Sequence, residues 1–237
     1  MFALAAVPRR PRNDPGQYDD LAGEWWKPGG AFAALHWLAA ARARLIPPAS
    51  RVGARLVDLG CGGGVLAPHL PTGYEHHGID LNPNALALAA ERGVLALRAD
   101  VTAVPLPDDF ADVVVAGELL EHVPDVEGVV AEVVRLLRPG GTAVFDTIAD
   151  TRWARLSMVT VAERLPGGPP RRIHDPALFV SPARLRQAFD DHGMTVHLTG
   201  LRPDPVDYLR FVRDRSRSVR MRPTASLASV YQGWGVK

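Results

Sequence analysis

A glycine-rich turn sets the strictest limit on how this chain folds. Residues 60–64 (GCGGG) directly follow a short apolar segment, 55–59, that is typical of a buried strand. In an open α/β sheet, ligands bind beyond the carboxyl ends of the strands, and glycine lets the backbone approach them because it has no Cβ atom. Asp80 ends the next predicted strand, 20 residues after Gly60, where a carboxylate can accept hydrogen bonds from ribose hydroxyls. The pattern predicts a site for an adenosine-containing ligand.

Short apolar strands alternate with helical segments around this turn. The predicted strands are 55–59, 75–80, 94–97, 111–116 and 142–147. One helix is expected to follow the glycine turn as far as Leu70, one to begin near Pro83, and one to cover 125–137. Strands that alternate with helices imply an α/β fold, with a parallel sheet covered on both faces.

The chain divides into four predicted parts: a flexible tail (1–16), an N-terminal helical cap (17–50), a ligand-binding core (51–150) and a C-terminal part (151–237). In the last part, an amphipathic helix is predicted at 153–165, and Ser181 is expected to cap a helix that ends near Phe189. Late strands are predicted at 194–198 and 226–234. Seven arginines in residues 202–222, with interleaved serines and aspartates, favour a solvated basic loop.

Composition narrows the functional classes. The chain has 237 residues, 47% of them hydrophobic, and a formal net charge of +1, which suits a folded domain and argues against a nucleic-acid-binding protein. One cysteine excludes a disulfide framework and any multi-thiolate metal site. No apolar stretch approaches the ~18 residues of a membrane span, and the apolar N-terminal run is too short for a signal peptide. We expect a cytoplasmic protein of unspecified oligomeric state.

A dinucleotide is the competing ligand. The strict G-x-G-x-x-G pattern fails from Gly60 because Val65 occupies its last position. Reading from Gly62 satisfies the relaxed form, with Ala67 at the last position, but this frame begins two residues later, inside the predicted helix. An NAD(P)-dependent oxidoreductase therefore remains an alternative, although it assigns no role to residues 117–141.

Five motifs carry a resemblance to a known family: residues 57–64 (VDLGCGGG), 77–80 (HGID), 99–100 (AD), 121–125 (EHVPD) and 137–141 (LRPGG). In this order they resemble the class I S-adenosylmethionine-dependent methyltransferases. The chain is most similar to the ubiquinone-biosynthesis O-methyltransferases, which methylate a polyprenyl catechol. That closer similarity rests on residues 24–26 (EWW), Gly30, Leu35, His36, Arg42, His174, Asp175, Phe179 and Pro182.

The resemblance implies a Rossmann-like class I methyltransferase fold: a mostly parallel seven-stranded sheet with helices on both faces and an antiparallel last strand. It also implies that S-adenosylmethionine binds and leaves as S-adenosylhomocysteine. Asp80 would hold the ribose, Asp100 the adenine amino group, and the Gly117 backbone the region near the sulfonium. Arg42 would meet the ligand's carboxylate end; a solvated helix charge is the alternative. The full implied set of cofactor-binding residues is Arg42, Asp58, Gly60, Cys61, Gly62, Asp80, Leu81, Asp100, Val101 and Gly117.

The resemblance places chemistry at the carboxyl end of the fourth strand. Glu118, Glu121 and His122 would hold a hard divalent cation such as Mg²⁺, and His122, His174 and Glu121 would be catalytic. In related enzymes that need no metal, the same carboxylate and ring only brace the loop, and this reading stays open. His174 could be oriented by Asp175 above the acceptor pocket, or Asp175 could simply begin a helix before a proline.

Other residues receive plainer interpretations. Residues Trp25 and Trp26 are expected to cover a core, His36 to be structural and Cys61 to have no redox role. Segment 153–165 matches a region that contacts lipid in the resembled family, which implies weak peripheral membrane contact; a helix packed on the sheet is the favoured alternative.

The expected function is methyl transfer to a hydroxyl of a phenolic or catechol small molecule, either a quinone precursor or a specialised metabolite. Residues 147–152 (TIADTR) depart from the asparagine-rich run of the family, which weakens the assignment of a particular acceptor. A protein that binds S-adenosylmethionine without catalysis is a further alternative.

Overall fold

The computed structural model describes residues 10–237, so residues 1–9 of the predicted tail lie outside the described part. The N-terminal cap contains helix α1 (Gly16–Asp20), a single helical turn (Ala22–Glu24), helix α2 (Ala33–Arg42) and a second turn (Ala43–Leu45). Residues 10–16 are anchored rather than loose. Arg12 donates to Glu163, and the Asn13 backbone N–H donates to the carbonyl oxygen of Arg172.

One sheet organises the described chain. Its strands are β1 (Ala54–Leu59), β2 (Tyr74–Asp80), β3 (Leu95–Arg98), β4 (Ala111–Gly117), β5 (Leu137–Ile148), β6 (Val196–Pro203), β7 (Met221–Thr224) and β8 (Val230–Val236). Their spatial order is β3-β2-β1-β4-β5-β8-β6-β7. Strands β1 to β5 run parallel, whereas β8, β6 and β7 pair antiparallel. The expected Rossmann-like fold is confirmed, but the count of seven strands is wrong, because β7 adds an eighth.

Five further helices flank the sheet: α3 (Pro83–Ala90), α4 (Val126–Leu136), α5 (Arg152–Ala154), which continues as wider helical turns to Val161, α6 (Pro182–Asp190) and α7 (Pro205–Arg213). Side-chain oxygens cap most of them. Asn82 begins α3, Asp125 begins α4, and Ser181 begins α6 as predicted, each accepting backbone N–H groups of the first turn.

The helix expected after the glycine turn does not form. Gly60, Gly62 and Gly64 have φ angles of 69°, 50° and 76°, in the left-handed region that a right-handed helix cannot contain. A single short turn, Ala67–His69, stands in its place.

The basic loop expected at 202–222 is also wrong, since α7 and the start of β7 occupy it. Asp204 caps α7 ahead of a proline at the first helical position, a strong helix-start signal. The same carboxylate pairs with Arg222, and Asp207 pairs with Arg220. The arginines therefore neutralise the acids of an ordered element.

Both faces of the central strands are buried, which explains their continuous apolar sequences. Val57 and Val114 pack with α4 on one face, while Leu56 and Val113 pack with Trp25 on the other. Within residues 10–237, no helix combines the length and the apolar character needed to cross a bilayer.

Candidate active site

The carboxyl ends of the parallel strands bring the glycine turn and Asp80 together, as predicted. The N–H groups of Gly60 and Cys61 donate to the carbonyl oxygen of Ile79 at 2.8 and 3.0 Å. The carboxylate of Asp80 accepts from the N–H groups of Gly62 at 2.9 Å and Asn82 at 2.8 Å. Desolvation raises the pKa of Asp80. A carboxylate held beside a Cβ-free loop can accept hydrogen bonds from ligand hydroxyls.

Trp25 covers the open face of this loop. A Cβ atom on Gly62 would lie 2.4 Å from the Trp25 ring, and one on Gly63 would lie 2.9 Å from it. Trp25 is buried and stacks on Phe32, with ring centroids 4.3 Å apart. The ring nitrogen Nε2 of His36 lies 2.7 Å from the carbonyl oxygen of Trp25. The core reading of Trp25 and the structural reading of His36 are confirmed, and the indole lies directly against Gly62 and Gly63.

The remaining predicted cofactor positions follow the same strand ends. Cys61 and Val101 are buried, whereas Leu81 and Asp100 are exposed. Asp100 accepts hydrogen bonds from the backbone N–H and hydroxyl of Thr102. Asp58, near the end of β1, is buried and lies 3.2 Å from Nε2 of His76. These residues therefore border one edge of the sheet.

Arg42 is a buried ion-pair partner, so the solvated-charge alternative is wrong. Its Nη1 donates to Oδ1 of Asp146 at 2.9 Å, and the two side chains are 4% and 0% exposed. A Cβ atom on Gly117 would lie 1.1 Å from Nη1 of Arg42, so the glycine is required for the guanidinium to lie there. Within residues 10–237, Nε of Arg42 is buried and has no hydrogen-bond partner.

Glu118 adopts an uncommon backbone conformation beside the Arg42–Asp146 ion pair. Its φ angle is 50°, and its N–H donates to Oδ1 of Asp146 at 2.8 Å. Desolvation, with the neighbouring charges of Glu121 and Asp146, raises the pKa of Glu118 well above its usual value. Burial beside other carboxylates favours the neutral form of such a group.

Glu121, His122 and His174 form a second cluster. One ligand atom from each lies within 4.8 Å of the others, and the two imidazole centroids are 5.1 Å apart. Desolvation lowers the pKa of His122 to about 4 and that of His174 well below its usual value. It raises the pKa of Glu121 to about 7, although Thr147 donates to this carboxylate at 2.7 Å. The two imidazoles are therefore neutral at pH 7.

The cluster does not match the expected Mg²⁺ site. Among residues 10–237, the group that converges is Glu121, His122 and His174, and Glu118 is not part of it. The backbone N–H of Glu118 donates to Asp146 instead. One carboxylate with two imidazoles is a poor shell for a hard cation that prefers oxygen ligands. The geometry therefore does not support a magnesium site formed by Glu118, Glu121 and His122, and that set stays a prediction.

His174 reaches the cluster without help from Asp175. The carboxylate of Asp175 accepts from the N–H of Ala177 and begins a short helical turn, Pro176–Leu178. The helix-start reading of Asp175 is confirmed, while the imidazole of His174 is 4% exposed and faces His122.

Two N-terminal residues, Asn13 from the predicted tail and Tyr18 from the cap, complete the site and were missed in the sequence. The side chain of Asn13 bonds to His122, and the hydroxyl of Tyr18 lies 3.4 Å from Nε2 of His122. The only local signal was an Asn-Asp-Pro segment, typical of a turn. Proximity across 109 residues of chain cannot be read from that signal.

The segment 153–165 is helical and has two sides. Met158 and Val159 pack against a hydrophobic cluster that includes Trp37. Four apolar side chains point outward, with exposed fractions of 58% for Trp153, 49% for Leu156, 45% for Val161 and 47% for Leu165. The expectation that this helix packs on the sheet therefore describes only the side that carries Met158 and Val159.

Comparison with known proteins agrees with the geometry. A family model described as a methyltransferase domain matches residues 57–145. The ubiquinone biosynthesis O-methyltransferase of Thiobacillus denitrificans is 36% identical over 201 residues, 80% of this chain and 86% of that protein. The protein of the same name from Ralstonia nicotianae is 37% identical over 207 residues, 81% of this chain and 87% of that protein.

A solved structure shares the fold. It is an S-adenosylmethionine-dependent methyltransferase from Thermotoga maritima, described as a possible histamine N-methyltransferase. It aligns with a TM-score of 0.66 at 18% identity, covering 93% of this chain and 97% of that one. At this identity the likeness concerns the fold alone.

Proposed function

The chain belongs to the family of the ubiquinone biosynthesis O-methyltransferases, and on that premise we propose that it methylates a phenolic or catechol hydroxyl of a small molecule. It is an S-adenosylmethionine-dependent methyltransferase. The acceptor class is our proposal. The observation that supports it best is a phenol already lying against the candidate base, the Tyr18 hydroxyl at 3.4 Å from Nε2 of His122.

The cofactor supplies a methyl group on a sulfonium, ready for in-line displacement. Gly60 and Gly62 leave room for its methionine part, once the indole of Trp25 moves aside. The carboxylate of Asp80 accepts hydrogen bonds from its ribose hydroxyls. Arg42, whose Nε has no hydrogen-bond partner in the described part of the chain, would pair with its carboxylate.

The acceptor hydroxyl needs a proton acceptor, because a phenol has a pKa of about 10. Nε2 of His122, which lies 3.4 Å from the Tyr18 hydroxyl, would accept the hydrogen bond of the acceptor hydroxyl. His174 and Glu121 lie beside it, and the raised pKa of Glu121, about 7, suits a group that takes up a proton near neutral pH. The three residues act as one proton-accepting cluster, and the neutral imidazoles do not repel a cationic sulfonium.

Calorimetric titration tests the cofactor. S-adenosylhomocysteine should bind with a micromolar dissociation constant, and NAD should not bind. Tight binding of NAD alone would show that the cofactor assignment is wrong.

A panel of phenols, catechols, amines and thiols tests the acceptor, with transfer of a labelled methyl group as the readout. We expect phenols or catechols to be methylated. Changing His122 to Gln should lower kcat about 10²–10⁴-fold, the usual contribution of general acid–base catalysis, and leave S-adenosylhomocysteine affinity within about threefold. Methylation of amines or thiols only, or full activity of the variant, would contradict the proposal.

We further propose that the exposed apolar side of segment 153–165 makes peripheral contact with a lipid surface. Trp153 and Leu156 are flanked by Arg152 and Arg155, an arrangement that suits an interfacial helix on anionic lipid. Sedimentation with phosphatidylglycerol vesicles should be reduced by changing Trp153 and Leu156 to Ser. The control is Val52→Ser, which removes an exposed valine elsewhere (94% exposed). Equal sedimentation of both variants would remove this contact from the proposal.

A further inference from the structure

We propose that Asn13 is a positioning residue that fixes which ring nitrogen of His122 carries the proton. The inference rests on the proposed function, in which His122 meets the acceptor hydroxyl. Asn13 belongs to the N-terminal segment and is 109 residues from His122 in sequence. Its side chain nevertheless makes two hydrogen bonds to that one residue.

The two bonds together determine the direction of the Asn13 amide. Nδ2 of Asn13 donates to the backbone carbonyl oxygen of His122 at 3.0 Å. A carbonyl oxygen can only accept, so the NH₂ group of the amide must lie on that side. Oδ1 of Asn13 therefore faces Nδ1 of His122, at 2.6 Å.

This direction settles the tautomer of His122. The amide oxygen Oδ1 of Asn13 has no proton to give, so Nδ1 of the imidazole must be the donor. In a neutral imidazole the other nitrogen then carries the lone pair. Nε2 of His122 is thus left as an acceptor toward Tyr18, at the position proposed for the substrate hydroxyl. With the opposite tautomer, Nε2 would carry a proton and could not accept one.

Among residues 10–237, the hydrogen bonds to the His122 ring come from Asn13 at Nδ1 and Tyr18 at Nε2. The titratable groups around the ring are Glu121 and His174 in the cluster and Tyr18 from the cap, with Arg12 bonded to the carbonyl oxygen of His174. Tyr18 meets Nε2 and not Nδ1. Nδ1 is bound by Asn13.

The backbone conformation and a backbone hydrogen bond fix the position of Asn13 beside His122. Its φ angle is 56°, in the left-handed region that asparagine tolerates better than most residues. Its N–H donates to the carbonyl oxygen of Arg172 at 3.0 Å, which ties it to the segment that carries His174. The neighbouring Arg12 bonds to Glu163 and to the carbonyl oxygen of His174. The N-terminal segment therefore holds both imidazole-bearing segments.

Nitrogen-15 NMR of the full chain with labelled histidine tests the tautomer directly. At pH 8, His122 should show a protonated Nδ1 and an unprotonated Nε2. In the Asn13→Leu variant, which keeps the approximate volume but neither polar atom, the protonated-Nε2 form should appear. In Asn13→Asp the acceptor oxygen remains, so the wild-type tautomer should persist.

Kinetics provide the second measurement. In Asn13→Leu we expect kcat to fall about 10–100-fold, less than the loss of the base itself, with the KM for S-adenosylmethionine within about twofold. Asn13→Asp should recover kcat to within about fivefold. The matched control is Gln17→Leu, which breaks a bond between the same two segments, from Nε2 of Gln17 to the carbonyl oxygen of Arg171, and should change neither the tautomer nor kcat.

The outcomes separate the two proposals. An unchanged tautomer in Asn13→Leu overturns the role of Asn13, as does an equal change in Gln17→Leu. If no phenol or catechol is methylated, the proposed function fails, while the NMR measurement still decides whether Asn13 sets the tautomer.

Discussion

Replacing Arg42 with Met should destabilise the protein severely. The guanidinium pairs with Asp146 at 2.9 Å, with the side chains 4% and 0% exposed. Removal of one partner of a buried ion pair typically costs about 3–5 kcal/mol, because the other charge stays buried and uncompensated. Arg42 also lowers the pKa values of the buried Glu118 and Glu121. At pH 8 we expect the loss in the free energy of unfolding to lie in the upper part of this range. That is a large fraction of the ~5–15 kcal/mol that stabilises a typical domain.

The loss should depend on pH with a definite sign. Desolvation already raises the pKa of Asp146 in the folded protein, and loss of Arg42 raises it further. An acid whose folded pKa exceeds its unfolded value of about 4 binds more protons when folded, so stability falls as pH rises through that window. Protonation at low pH removes the uncompensated charge. The free-energy deficit of Arg42→Met should therefore be smaller at pH 5.5 than at pH 8.

Urea denaturation at both pH values measures these differences. The matched control is Arg184→Met, which breaks a pair with Glu127 in which both side chains are exposed and should cost less than about 1 kcal/mol. The double variant Arg42→Met/Asp146→Asn should recover most of the stability, because no charge is left unpaired. If Arg42→Met costs no more than Arg184→Met at pH 8, the ion-pair reasoning is refuted.

Four further results are expected. Gly62→Ala should lower both stability and S-adenosylhomocysteine affinity, measured by thermal melting and calorimetry, because its φ angle is 50° and its Cβ would press on Trp25. Asp80→Ala should raise the dissociation constant for S-adenosylhomocysteine at least 100-fold in calorimetry, and a near-wild-type value would contradict the ribose contact. The pKa of His122 is about 4 and that of Glu121 is about 7. The kcat of phenol methylation should therefore fall as the pH drops below about 7, because Glu121 becomes protonated there. A midpoint of the pH profile near 4 would instead assign the proton to His122 alone. Methyl transfer should persist after EDTA treatment, since the donor set does not suit Mg²⁺, and its loss with recovery on adding Mg²⁺ would reverse that reading.

The position of the glycine turn at one edge of the sheet could be predicted, because the residues that determine it lie close together in the sequence. Gly60 and Asp80 close two neighbouring strands, and strand spacing alone places them together. The helix expected after the turn failed for an equally local reason, the positive φ angles of the glycines. Glycine content permits such angles but does not require them.

The acceptor side was less predictable because its contacts are distant in sequence. Asn13 lies in the segment predicted as a flexible tail, and Tyr18 lies in the predicted helical cap, where no pattern links it to the site. Their partner, His122, is 109 and 104 residues away. Asp146 was likewise hidden, because nothing in a buried strand shows which cation it will meet. The β7 strand was obscured by the arginines in and beside it, of which Arg220 pairs with Asp207 of α7 and Arg222 pairs with Asp204, the residue that caps α7.

The packing of Trp25 against Tyr18 affects how two ligands influence each other's binding. Trp25 lies over Gly62, its ring stacks within 5.9 Å of Tyr18, and the Tyr18 hydroxyl meets His122. A ligand that displaces the indole from the glycine loop therefore disturbs the packing beside the base, and a phenol that displaces Tyr18 disturbs the packing of the indole. Cofactor and acceptor each remove part of the cost that the other would meet. By thermodynamic linkage this help is reciprocal, so the packing of Trp25 against Tyr18 makes the binding of cofactor and acceptor cooperative.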